Sequence, residues 1–332
     1  MDRNIPASRI LGTGHYLPSQ VLTNDDLARR VDTSDEWIRS RTGIGQRHIA
    51  APEEASSDMA AAASKLALEA AGLSPNDLDA IIVGTISPDK RMPACAVYLQ
   101  QKLGVTNNCP SFDLSAACAG FIYGLGVADA FIRARQSRYV LVVGVELLSR
   151  VIDWQDRATC VLFGDGAGAA VLGPSDGDGR GIVSTHLYTD GSKANDLHIP
   201  GGGTLIPFSA EVLERREYYV RMNGQEVFKY AVRAISRAAG TAIESNGLTP
   251  NDIDWVMPHQ ANKRILDGVR QRCGVPKERF FINIEETANT SSASVPIVLD
   301  QAVRSGHVRR GQNLVFCALG GGFSWGSALV RW

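Results

Sequence analysis

Cys118 is the first residue whose setting suggests chemistry. It lies in Ser115-Ala-Ala-Cys-Ala-Gly120, between the apolar run Phe112 to Leu114 and a helix-spaced apolar segment containing Phe121, Ile122, Leu125, Ala128 and Ile132. That pattern predicts a strand turning into a helix with the cysteine at the helix N-terminus. There, unpaired N–H groups and the positive end of the helix dipole favour a thiolate. The cysteine's own N–H is then free to stabilise an oxyanion. A small buried residue among alanines fits the same position, and position alone does not separate the two readings. His259, in Pro258-His-Gln-Ala-Asn262, directly follows a short apolar run, Trp255 to Met257. Strand ends of this kind are where α/β sites gather, although a lone histidine is often structural.

An internal duplication says how these residues are positioned. Gly72-Leu-Ser-Pro-Asn-Asp-Leu-Asp79 returns as Gly247-Leu-Thr-Pro-Asn-Asp-Ile-Asp254, an offset of 175. Each copy follows an amphipathic helix pattern (Ser57 to Ala71; Gln225 to Asn246) and leads into an apolar strand (Ala80 to Val83; Trp255 to Met257). The match continues through strand Phe112 to Leu114 against Phe280 to Ile284, and through strands Tyr139 to Val143 and Asn313 to Ala318. In each half a Gly-rich turn, Phe163-Gly-Asp-Gly or Gly320-Gly-Gly, then opens a final apolar strand. Aligning Asp129 with Asp300 gives an offset of 171, which sets Asn289 opposite Cys118. A Cys, a His and an Asn converging from repeated units favour the catalytic reading. Strands alternating with helices predict a layered α/β fold with a pseudo-two-fold axis, divided into halves 1–174 and 175–332. The stretch from about Ser175 to Arg221 reads as a long connection.

Composition excludes several classes. Lys plus Arg is 34 and Asp plus Glu 35, so no global field holds nucleic acid or an anionic bilayer. Hydrophobic residues at 44% and charged ones at 21% are ordinary for a soluble globular protein. Apolar runs fall far short of the ~20 residues of a membrane helix. Asp2 and Arg3, with no apolar core after them, do not resemble a leader, so a cytoplasmic protein is expected. Six scattered cysteines form no CxxC or CxxH pair, which argues against a zinc site or a disulfide framework. Gly164-Asp-Gly-Ala-Gly168 lacks the order of a dinucleotide or phosphate loop, and no cofactor is expected. Gly320-Gly-Gly322 reads either as close backbone approach near a reacting group or as a tight strand turn. Lys229, Arg233 and Arg237, each four apart, share one helix face, either a solvated face or a docking patch for an acidic carrier or a phosphorylated ligand.

Read together, Ala117-Cys-Ala-Gly-Phe121, Leu162-Phe-Gly-Asp-Gly-Ala-Gly168, Pro258-His-Gln-Ala-Asn262, Asn289-Thr290 with Ala293-Ser-Val-Pro296, and Gly320-Gly-Gly322 resemble the β-ketoacyl-acyl-carrier-protein synthase III family. The resemblance spans nearly the whole chain, from Ile10-Leu-Gly-Thr-Gly14 to Trp325-Gly-Ser-Ala-Leu-Val-Arg331. It implies the thiolase fold, two similar halves in five αβαβα layers, usually as a homodimer. It implies an acyltransferase that uses no cofactor and takes an acyl-CoA primer and malonyl-acyl carrier protein as substrates, with no nucleic acid or membrane as partner. Cys118 then matches the acyl-accepting nucleophile, His259 and Asn289 the pair that stabilises the enolate, and the N–H groups of Cys118 and Gly321 the oxyanion hole. Trp37, Arg41, Arg157, Gly224 and Asn262 match CoA-binding positions. Lys229 and Arg264 lie where the carrier docks, and Arg233 and Arg237 extend that patch by the helical-face argument alone. Met92, Leu148 and Leu319 are the expected walls of the acyl pocket, and Leu319 stands where the family often has Phe. The alternative reading is a secondary-metabolism homologue that condenses or transfers a different thioester.

Overall fold

The computed structural model describes residues 7–332, which leaves Asp2 and Arg3 outside the described residues. The first sheet contains β1 (Ser8–Tyr16), β2 (Ala80–Gly84), β3 (Ser111–Leu114), β4 (Val140–Glu146) and β5 (Gly166–Pro174), in the order β1-β5-β4-β2-β3. The second contains β6 (Gly181–Thr189), β7 (Trp255–Pro258), β8 (Asn313–Gly320) and β9 (Ser324–Arg331), in the order β7-β8-β9-β6. Both sheets repeat one scheme, a parallel pair (β2 with β4, β7 with β8) extended on one side by two antiparallel strands, the pair lying inside the first sheet and at one end of the second.

The strands are apolar on both faces because both faces are covered. On the first sheet Ile81, Val83, Leu141 and Val143 face an outer layer of α2 (Ser56–Ala71) and α3 (Cys95–Leu103). Ile82, Val140 and Val142 face a central layer formed by α4 (Gly120–Arg133) and a second helix, Ser294–Arg304. Val256, Val315 and Cys317 of the second sheet face α5 (Gly224–Glu244) and α6 (Lys263–Arg272), and the central helix Ser294–Arg304 is α7. The result is the five-layered αβαβα arrangement of the thiolase fold. α1 (Asp35–Thr42), capped by the Ser34 hydroxyl, packs against α6. No helix among the described residues is long and apolar enough to cross a membrane.

The repeated octapeptide folds identically in both halves. The Asp77 carboxylate accepts the Ser74 N–H at 2.7 Å and Asp252 accepts the Thr249 N–H at 2.7 Å, and each capping box opens a short 3-10 turn feeding β2 or β7.

The structure corrects three details of the sequence reading. The segment after Ser175 is no mere connection, because Gly181–Thr189 is β6, a nine-residue strand paired with β9. Its side chains mix polar and apolar residues at a sheet edge, so it lacks the continuous apolar run of a central strand. The stretch Phe280 to Ile284 forms a single bridge, Val256 with Phe280, and then turns into a short helix from Ile284, so β3 has no full counterpart. Finally, the halves superpose at an offset of 174 at the nucleophile turn. Ala117 (φ 45°) and Ser291 (φ 49°) hold the same left-handed position before α4 and α7. Cys118 is therefore equivalent to Ser292, and Asn289 lies one turn earlier.

Candidate active site

Cys118 sits in a 3-10 turn, Ala117–Ala119, between β3 and α4. The end of β8 is pressed against that turn, so that a Cβ on Gly320 would lie 2.4 Å from the Cys118 nitrogen. Only glycine allows this approach, which brings Gly321 beside the cysteine. The N–H groups of Cys118 and Gly321 donate to no other backbone group among the described residues, as an oxyanion hole requires. The thiol does not behave as a helix N-terminal position predicts. Burial, with a smaller contribution from the nearby Glu146 carboxylate, pushes the Cys118 pKa up to about 12, against the Ser291 hydroxyl and the cysteine's own N–H, which favour the thiolate. The dipole of a helix end, worth up to ~2 kcal/mol in partly buried sites, does not reverse such a shift. The folded chain thus holds Cys118 as a thiol.

Behind Cys118 lies a group that sequence reading missed. Glu146, the last residue of β4, is fully buried. Its Oε2 accepts from the Ser87 hydroxyl at 2.6 Å, the Ile86 N–H at 3.1 Å and the Thr85 hydroxyl at 3.3 Å, and its Oε1 accepts from the Ser291 hydroxyl at 3.0 Å. A charged residue closing an otherwise apolar buried strand was the available signal. The Ser291 N–H in turn donates to Asn289 Oδ1 at 2.9 Å. That bond fixes the amide orientation, so Nδ2 is the donor end, with one long contact to the Ala261 carbonyl at 3.4 Å. His259 is buried, its Nδ1 has no partner among the described residues, and burial lowers its pKa to about 3. It is therefore a neutral imidazole.

Cys118 lines two cavities at once. The first, of about 660 Å³, is also lined by His259, Asn289, Gly224, Asn262 and Leu319. The second, of about 1000 Å³, is lined by Gly321 and by the apolar side chains of Leu148, Ile86, Ile199 and Val220. Phe163 and Leu197 border both. The thiol thus stands between a chamber with neutral donors and a chamber suited to an alkyl chain. Leu148 lines the second, apolar chamber. Leu319 does not, because it precedes the Gly triplet on the β8 face turned toward α5, and so borders the His259 chamber. Met92 is 84% exposed and borders neither cavity. Its loop is held at the surface, with Asp89 accepting from the Ser57 hydroxyl at 2.5 Å and Arg91 standing 4.8 Å from the Phe208 ring centroid.

The remaining residues lie around the first chamber. The guanidinium carbons of Arg157 and Arg41 stand 4.8 and 4.9 Å from the Trp37 ring centroid, a cationic and aromatic platform. Asn262 caps α6 by accepting the Ile265 N–H at 2.9 Å, and its amide N–H₂, with no partner among the described residues, lies at the chamber wall. Lys229, Arg233, Arg237 and Arg264 are all exposed, on the neighbouring helices α5 and α6.

A family model described as 3-oxoacyl-[acyl-carrier-protein] synthase III matches residues 112–191, and one described as its C-terminal part matches residues 243–332. The β-ketoacyl-[acyl-carrier-protein] synthase III of Methylococcus capsulatus is 51% identical over 325 residues, covering 98% of this chain and 99% of the relative. Among solved structures, 3-oxoacyl-[acyl-carrier-protein] synthase III of Aquifex aeolicus is 46% identical with a TM-score of 0.91, covering 98% of this chain and all of the other. The Thermus thermophilus enzyme is 42% identical with a TM-score of 0.91, covering 98% and 99%.

Proposed function

The chain belongs to the 3-oxoacyl-[acyl-carrier-protein] synthase III family of condensing acyltransferases that initiate fatty acid biosynthesis, and from that premise we propose how its residues carry the reaction. An acyl-CoA primer enters past Trp37, Arg41 and Arg157, with its pantetheine arm along Gly224 and Asn262 in the first chamber. The Cys118 sulfur attacks the thioester carbonyl. The N–H groups of Cys118 and Gly321 stabilise the oxyanion, CoA leaves, and the acyl chain lies in the apolar chamber beside Leu148. Malonyl-acyl carrier protein, drawn by Lys229, Arg233, Arg237 and Arg264, then occupies the first chamber. His259 and Asn289 donate to its thioester carbonyl, CO₂ departs, and the enolate attacks the acyl-cysteine to release a 3-oxoacyl product. Both donors are neutral, which suits them to negative charge that develops only during the reaction. No cofactor takes part.

The observation that carries this reading is the placement of Cys118 at the meeting point of a donor-lined chamber and an apolar one. The chain works in the cytoplasm as a homodimer in this reading. Among the described residues β3 leaves an unpaired edge on the first sheet, and Met92, Leu205 and Phe208 are exposed. The test measures CoA release and CO₂ release separately. His259→Ala is expected to release CoA from the primer near the wild-type rate while CO₂ release from malonyl-acyl carrier protein falls at least ~100-fold. Equal loss of both would contradict the division of labour.

A further inference from the structure

The proposed reaction leaves one proton unassigned. Cys118 attacks as a thiol that must shed its proton, and the buried neutral His259 is a poor acceptor. The structure holds another acceptor. Glu146 is fully buried, with no cation against it among the described residues, and four protein donors point at its carboxylate. One of those donors, the Ser291 hydroxyl, lines the same cavity as Cys118, and because its hydrogen goes to Glu146 Oε1 its oxygen is open to accept from the thiol. Ser291 holds this place through a left-handed backbone, φ 49°, a strained conformation for a non-glycine residue. Among the described residues Glu146 is the only charged side chain that acts on the Cys118 thiol.

We infer that Glu146 is the proton acceptor for Cys118, acting through the Ser291 hydroxyl, and so a positioning residue for both halves of the reaction. As sulfur bonds to the acyl carbon, the thiol proton passes to the Ser291 oxygen, and the Ser291 proton passes to Glu146 Oε1. The bond from the acyl carbon to the CoA sulfur breaks, and CoA leaves as a thiolate that is protonated in solvent. The acyl-enzyme then stands before a neutral Glu146, so no buried negative charge opposes the enolate formed in the next step. When the tetrahedral adduct collapses, the Cys118 thiolate takes the proton back through Ser291, restoring the thiol and the carboxylate.

The inference rests on the acyl-cysteine reading, and the experiment separates the two. Glu146→Gln keeps the side-chain shape, and the Ser291 hydroxyl can rotate to accept from the new amide. Two rates at Cys118 are compared by intact mass in single turnover: acylation by an acyl-CoA, and alkylation by iodoacetamide across pH. Loss of the acceptor is expected to slow acylation about 100-fold. Loss of the adjacent negative charge is expected to speed alkylation about tenfold at a given pH and to shift its profile to lower pH. A structural defect would not move the two rates in opposite directions. Ser291→Ala should also slow acylation, which keeps the inference testable if Glu146→Gln does not fold. Acylation by Glu146→Gln or Ser291→Ala at the wild-type rate would overturn it, whereas a wild-type enzyme that fails to acylate would overturn the underlying reading instead.

Discussion

At the residue scale, the site keeps its nucleophile and its histidine donor uncharged until substrate arrives. His259 shows the cost of that arrangement. An exposed imidazole titrates near 6.5, but burial lowers His259 to about 3, so between these values the unfolded chain binds a proton that the folded chain does not. Stability therefore rises with pH across this window and falls on acidification, by about 1.4 kcal/mol per pH unit from this group. His259→Gln should flatten the pH dependence of urea unfolding between about pH 6 and 4 by that slope. An unchanged slope would show that His259 is solvated. Cys118, His259 and Asn289 were legible in the sequence because their types and motif positions single them out. Glu146 was not, because its role depends on Ser291, 145 positions away, meeting it across the interface between halves.

At the element scale, the duplicated unit was legible wherever local chemistry repeats, above all in the capping boxes Ser74/Asp77 and Thr249/Asp252. The phase between halves was not. The offset of 171 from the paired aspartates differs by nearly a helical turn from that shared by Ala117 and Ser291, since α4 has 14 residues and α7 has 11. β6 was missed because an edge strand with one wetted face carries no apolar run. What brings the elements together is close backbone contact. A Cβ on Gly144 of β4 would lie 2.2 Å from the Ser292 carbonyl, and one on Gly320 of β8 would lie 2.4 Å from the Cys118 nitrogen. Gly320→Ala should push the nucleophile turn off Gly321 and lower kcat/KM for acyl transfer at least ~100-fold, with the circular dichroism spectrum retained. A loss under tenfold would show that the oxyanion hole does not depend on this contact.

At the scale of the whole molecule, two sheets and their helices bury a thiol between two chambers, and the exposed basic residues of α5 and α6 stand beside one of them. The chain's formal net charge is −1, so attraction of an acidic carrier must come from such a local patch. Replacing Lys229 and Arg264 together by Glu should raise KM for malonyl-acyl carrier protein about tenfold, with the effect shrinking at high salt, while acylation by acyl-CoA is unchanged. Equal loss in both steps would place the defect in the site and not in docking. The most direct test of the account is intact-protein mass after incubation with a panel of acyl-CoAs from acetyl to octanoyl and branched forms. A mass gain of one acyl group, absent in Cys118→Ala and discharged as a 3-oxoacyl product on adding malonyl-acyl carrier protein, is the predicted result. An enzyme that gains no acyl group from any member of the panel, or that gains one equally in Cys118→Ala, would contradict it.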